Sequence, residues 1–245
     1  MSITASDLVA YASANMPADD SSTSGGAIDT LRRIDFTQIA ATDKIEVVSS
    51  AAGDTTQTVT LTGRKADGSI VAETLTLNGT TAVATTNNYE RLLKAELSAT
   101  ASGNVTVRRQ TGPATLRIIP AGERGFMAIF RQLASDPSVQ KDFYCKFFWK
   151  NTHATLALTS AVVKENADPD NRITHALAAT LDDAGSVANR LTSPGLTFSN
   201  ADKNVPNSQN LSAGSAIGVW LNLTLPAADA AHRTTYTSEL AGQTT

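Results

Sequence analysis

The chain has 245 residues, a formal net charge of −3, 18% charged residues and 5% aromatics, with 33 Thr and 21 Ser. That length accommodates one large or two small β domains with a real core, while scattered Lys and Arg at a pI near 5.6 argue against a nucleic-acid surface. No run reaches the roughly 18 apolar residues of a membrane helix, and Cys145, the single cysteine, excludes an intrachain disulfide and argues against a Cys-based metal site.

Residues 1–40 read as an N-terminal arm. The opening MSITASDLVAYASANMP has neither the basic start nor the apolar centre of a secretory signal. Ser6 or Thr4 is placed to cap a short helix over residues 7–11, which Pro17 ends. Residues 19–26, polar and closing on Gly25-Gly26, read as a flexible linker or as an extended arm ordering on a neighbouring subunit. Ile28, Leu31, Ile34 and Phe36 follow, with Arg32-Arg33 among them.

Residues 41–110 carry the clearest pattern. Residues 45–48 read as a strand, and residues 57–62 alternate polar and apolar at period two. Ala66-Asp67-Gly68-Ser69 signals a hairpin whose return strand is 71–77, closed by Asn78-Gly79. Residues 82–85 and 105–109 are further strands. Turn signals recur every 8–12 residues, as in a small antiparallel sandwich or barrel with Thr facing solvent.

Residues 111–245 read as a second, larger β unit. Residues 116–119 form a strand stopped by Pro120, and 126–130 form a buried run. Residues 143–150 hold five of the thirteen aromatics, which marks a central core strand. Strands follow at 155–163, 174–181, 217–225 and 234–240. The expected fold is therefore all-β. It has two antiparallel units, a small sandwich or barrel (41–110) and a larger jelly-roll-like sandwich (111–245), behind an extended arm (1–40).

Candidate chemistry is sparse. His153, His175 and His232 show no metal-ligand spacing and read as surface or edge residues. Cys145, inside an aromatic strand, reads as a small hydrophobe rather than a nucleophile. Asn166, Asp168 and Asp170 have a spacing suggestive of a Ca²⁺ loop, but Pro169 and the lack of a bidentate Glu favour turn chemistry, and Asp182-Asp183 is the other tight acidic group. Phe147, Phe148, Trp149 and Trp220 are either a ligand patch or, on alternating strands, core. Asn-x-Ser/Thr sites at Asn78, Asn104, Asn210 and Asn222 carry no meaning without a secretory signal. No phosphate loop, dinucleotide fingerprint or Gly-x-Ser-x-Gly is present. The expectation is no catalytic residues, no cofactor and no metal.

Several segments are nonetheless familiar together. Leu8-Val9-Ala10-Tyr11, Asn15-Met16-Pro17 and Ser24-Gly25-Gly26-Ala27-Ile28 resemble the N-termini of virion structural proteins of tailed bacteriophages. So do Thr58-Val59-Thr60-Leu61-Thr62-Gly63 and Glu73-Thr74-Leu75-Thr76-Leu77-Asn78-Gly79-Thr80. Phe148-Trp149-Lys150-Asn151, Ala167-Asp168-Pro169 and Gly218-Val219-Trp220-Leu221 are similar to the same group. Within it the chain looks most like head decoration or cement proteins. The resemblance implies a non-enzymatic protein on the capsid exterior of the virion, made in the bacterial host cytoplasm. Its implied partners are the major capsid protein and itself, as a homo-oligomer for which a trimer suits lattice threefolds, with no nucleic acid and no membrane. Arg32, Arg33, Arg108 and Arg109 are the candidate polar anchors, although an Arg pair more often reads as a solvated face. The competing readings are a tail, neck or baseplate component, a host-glycan-binding β module that would show an exposed aromatic platform, and a hydrolase with convergent carboxylates.

Overall fold

A computed structural model describes residues 2–230 and 235–244, so His232 and Thr234 lie outside the described residues. Its strands are β1 (Leu8–Asn15), β2 (Ser24–Arg33), β3 (Ile45–Ser49), β4 (Thr58–Arg64), β5 (Ile70–Thr76), β6 (Val83–Ala84), β7 (Arg91–Leu97), β8 (Val105–Arg109), β9 (Thr115–Ile119) and β10 (Gly125–Met127). They continue with β11 (Lys141–Asn151), β12 (Leu158–Ala167), β13 (Ile173–Leu181), β14 (Ser186–Val187), β15 (Lys203–Asn204), β16 (Ala216–Leu225) and β17 (Thr237–Thr244). The fold is all-β, built from several antiparallel sheets with a sandwich character. The one parallel pairing among the printed registers is β2 with β10.

The chain divides into two compact units, Thr30–Ala128 and a discontinuous unit made of Met1–Asp29 with Ile129–Thr245. These bounds differ from the breaks expected at 40 and 110. Residues 111–128 belong with the Thr-rich strands, because β9 pairs with β8 and β10 with β7.

The continuous unit has two layers. One runs β10-β7-β4-β5, with the end of β2 beside β10, and the other runs β6-β3-β8-β9. Strict alternation on β4, with Val59 and Leu61 fully buried between half-buried Thr58, Thr60 and Thr62, points one face inward. Those residues share a core with Ile45, Val47, Leu92, Leu97, Val105, Val107 and Phe126.

The discontinuous unit has a sheet in the order β13-β16-β11-β1-β2, with β14 on β2, and a second sheet β15-β12-β17. Its centre is β11, where Cys145, Lys146, Phe147 and Phe148 are buried in succession. A strand covered on both faces loses the alternating pattern.

The expected arm is instead part of the sheet, as β1 and β2. Thr4 and Asp7 do hydrogen-bond, Thr4 N donating to Asp7 Oδ2 at 2.8 Å, but they close only a 3-10 turn, Ala5–Asp7. The expected helix at 7–11 is instead β1, paired with β11 from Leu8↔Asn151 to Ala12↔Phe147. Val9, Ala10, Tyr11 and Ala12 are buried there, so sheet packing overrides the helical propensity of Ala. The expected linker glycines sit inside β2. Gly25 has φ +93°, and a Cβ on it would meet the Trp220 ring at 2.6 Å and Gly185 O at 2.8 Å. Close approach, not flexibility, requires glycine there.

Candidate functional site

The four arginines expected as anchors all lie in the continuous unit and are all engaged within it. Arg32 Nε donates to Glu96 at 2.9 Å. Arg33 grips both oxygens of Glu123, at 2.8 Å from Nε and 2.6 Å from Nη2. Arg108 Nε donates to Glu46 at 2.5 Å, and Arg109 Nε donates to Asp43 at 3.1 Å. Each pair is partly shielded from solvent, so the arginines tie strands to neighbouring strands and loops rather than forming solvated faces.

The same unit contains an internal carboxylate clamp. Asp54 is 1% exposed and accepts from Ser49 Oγ at 2.6 Å, Ser102 N at 2.9 Å and Gly103 N at 3.0 Å. The Ser49 hydroxyl and the two backbone donors hold its carboxyl below the usual carboxylate range. Outward, β4 and β5 present a different surface. The register aligns Thr58 with Thr76, Thr60 with Thr74 and Thr62 with Ala72. These residues are half-buried on β4 and exposed on β5, and the Thr60 and Thr74 hydroxyls hydrogen-bond at 3.0 Å. A two-strand face of hydroxyls and methyls results, and on β7 its rows continue into Glu96, opposite Thr60, and Lys94, opposite Thr62, which pair with each other.

In the discontinuous unit the aromatic residues are structural. Phe147, Phe148 and Trp220 are buried, and half-buried Trp149 donates from Nε1 to Ser238 Oγ at 3.1 Å. Between them stands Lys146, whose side chain is 0% exposed. Its Nζ donates to Asp183 Oδ2 at 2.5 Å, Asp183 O at 2.9 Å, Gly26 O at 3.2 Å and Gly185 O at 3.3 Å. It also lies 4.7 Å from the Phe148 ring centroid and 5.7 Å from that of Trp220. Burial lowers the Lys146 pKa, and the Asp183 carboxylate pulls the other way.

Cys145 is fully buried, with Sγ 3.9 Å from Met16 Sδ and 3.6 Å from Ile129 O, and burial pushes its thiol up to about 12. A thiol held protonated is no nucleophile. Asp168 makes a turn, its Oδ2 accepting from Arg172 N and Ile173 N, each at 2.7 Å. Asn166 and Asp170 are exposed beside it. Among the described residues no group of three or more His, Cys, Asp or Glu is arranged to hold a metal ion. Asp182 Oδ1 accepts from Ala216 N at 2.9 Å, while Asp183 is the partner of Lys146. His153, half-buried, accepts from Leu156 N through Nδ1 at 2.9 Å. His175 is not a surface residue. It is 0% exposed, and its ring meets the Val163 backbone without a well-formed hydrogen bond.

Each unit has a shallow concavity. One of about 600 Å³ lies beside β9, lined by Phe36, Leu116, Arg117 and Ile118. One of about 350 Å³ lies beside β13, lined by Ala176, Ala178, Leu196, Lys203 and Pro206. No family model, no curated protein and no solved structure matches this chain.

Sequence reasoning missed Lys146, Asp54 and Arg190. The signal for Lys146 was present, since a lysine inside Phe143-Tyr144-Cys145-Lys146-Phe147-Phe148-Trp149 has no route to water from a central strand. Arg190, 3% exposed, binds Asp20 at 2.8 and 2.6 Å and caps the carbonyls of Arg131 and Gln132. Nothing near it in sequence marks it.

Proposed function

We propose that this chain is a non-enzymatic structural protein of a tailed-phage particle, a decoration or cement protein that binds the outer capsid lattice. The observation that carries the reading is the Thr-rich face of β4 and β5, bordered on β7 by the paired Lys94 and Glu96. A pleated array of hydroxyls and methyls gives broad, shape-matched contact without a strong single site. Repetition over a symmetric lattice turns such weak contacts into avidity. The arginines support the same reading by a different route. Because they are spent on internal ion pairs, the contact surface is assigned to neutral residues rather than to Arg32, Arg33, Arg108 and Arg109. The partners are the major capsid protein and further copies of this chain.

The test is copy number in purified particles, measured by quantitative mass spectrometry against the major capsid protein. A fixed ratio to the capsid protein is expected. A handful of copies would move the protein to the neck, tail or baseplate, and absence would overturn the structural reading. The single variant Thr74→Lys then tests the face. It should reduce occupancy of particles while changing stability by about 0.5 kcal/mol or less, since Thr74 is exposed.

A further inference from the structure

Segment 199–211 laces together the two layers of the discontinuous unit. Ser199 exchanges backbone hydrogen bonds with His175 on β13, 3.2 Å in each direction. Lys203 and Asn204 then pair with Val163 and Val162 on β12. Val205 N donates to Ala161 O at 2.9 Å, and Leu211 exchanges bonds of 2.9 and 3.0 Å with Leu158. The segment thus joins an edge strand of one sheet to the central strand of the other.

Two independent features weaken this seam. Asn207, Ser208 and Gln209 have φ of 64°, 57° and 60°, three successive non-glycine residues in the left-handed region that L residues avoid. Below it lies His175, fully buried, its ring meeting the Val163 backbone without a well-formed hydrogen bond. Cross-strand pairing places His175 on the face of Leu221 and Cys145, between the layers. The charged groups acting on it come from the seam, namely Lys203, whose Nζ donates to Ser199 Oγ at 2.6 Å, and Asp202, which pairs with Lys164 of β12 at 3.6 Å. Neither β13 nor β16 carries another ionisable residue.

We propose that segment 199–211 is an acid-released seam with His175 as its trigger. Protonation places a second cation near Lys203 in a fully buried position, where burial and Lys203 outweigh the help of the Val163 backbone and the Asp202 carboxylate. The open seam lets that charge reach water. Burial and Lys203 both hold the closed-state imidazole below its ordinary value of 6.5. The closed seam is therefore fully stable above 6.5 and weakens as the pH falls below it. The opening equilibrium grows by up to about tenfold per pH unit until the closed state itself takes the proton. This inference is independent of the phage reading.

Hydrogen–deuterium exchange on the full chain, at about pH 7.5 and about pH 5 and corrected for intrinsic exchange rates, tests it. Peptides covering 196–211 should lose about tenfold or more of their protection at the lower pH, while β11 and β16 keep theirs. His175→Phe should abolish the loss. Lys203→Met should diminish it, because the closed state then keeps the proton more readily. Equal protection at both pH values in the wild type, or an undiminished loss in His175→Phe, would overturn the proposal. Should His175→Phe fail to fold, an undiminished loss in Lys203→Met would overturn it instead.

Discussion

Lys146 occupies a position where a central strand ordinarily carries an aliphatic residue. A buried ammonium is tolerated because its donors all find acceptors and two aromatic faces cover it. The asymmetry of such pairs makes a clear prediction. Asp183→Ala strands the charge and should cost about 3 kcal/mol, the lower end of the range for a broken buried pair because Asp183 still reaches solvent. Lys146→Met removes the buried charge and leaves three carbonyls short of a donor, while the part-exposed Asp183 carboxylate keeps Gly185 N and reaches solvent, so it should cost about 1–2 kcal/mol. Urea denaturation of the two variants gives the order directly. Cys145 offers a simpler check. Its raised pKa and full burial mean that a thiol reagent should label the native protein only at the rate at which the discontinuous unit opens, and at once in denaturant.

At the scale of elements, what the chain makes plain is periodicity, and what it hides is coverage. Strand β4 alternates in sequence and alternates in burial, so its register with β5 follows from one hairpin signal at Asp67-Gly68. Strand β11 is readable from aromatic density alone. Strands β1 and β2 are not, because small residues such as Ala10, Ala12, Gly25 and Gly26 look like helix or linker until large neighbours are known. Ala12 is opposite Phe147, and Gly25 lies against Trp220. Their sizes answer residues more than a hundred positions away, which local reading does not reach. The candidate site divides in the same way. The Thr face was visible in the alternation, whereas the partners of Lys146 and the burial of His175 depend on loops that only the folded chain brings near. Gly25→Ala tests whether β2 is a fitted strand. It forces a Cβ into the indole and a strained φ, and it should cost about 3 kcal/mol by thermal or chemical melting, where a linker glycine would cost almost nothing.

On the scale of the whole molecule, the first 29 residues are structural members of a unit whose other strands come from the far end of the chain. Deleting them strips β1 from β11 and exposes the flank of Phe147 and Phe148. The expected outcome is an aggregating protein that has lost the near-ultraviolet circular dichroism of its tryptophans, not a folded one that has merely lost a contact arm. A soluble, cooperatively melting truncation would contradict it. The order of the strands also sets a clock. β1 leaves the ribosome early, yet its partner Asn151 is synthesised more than 140 residues later than Leu8. At about 5–20 residues per second, β1 waits on the order of 10 seconds before it can pair. During that interval residues 30–128 emerge complete, with every strand of their own core in hand. The nascent chain therefore holds a complete set of core strands for residues 30–128 while β1 still lacks its partner.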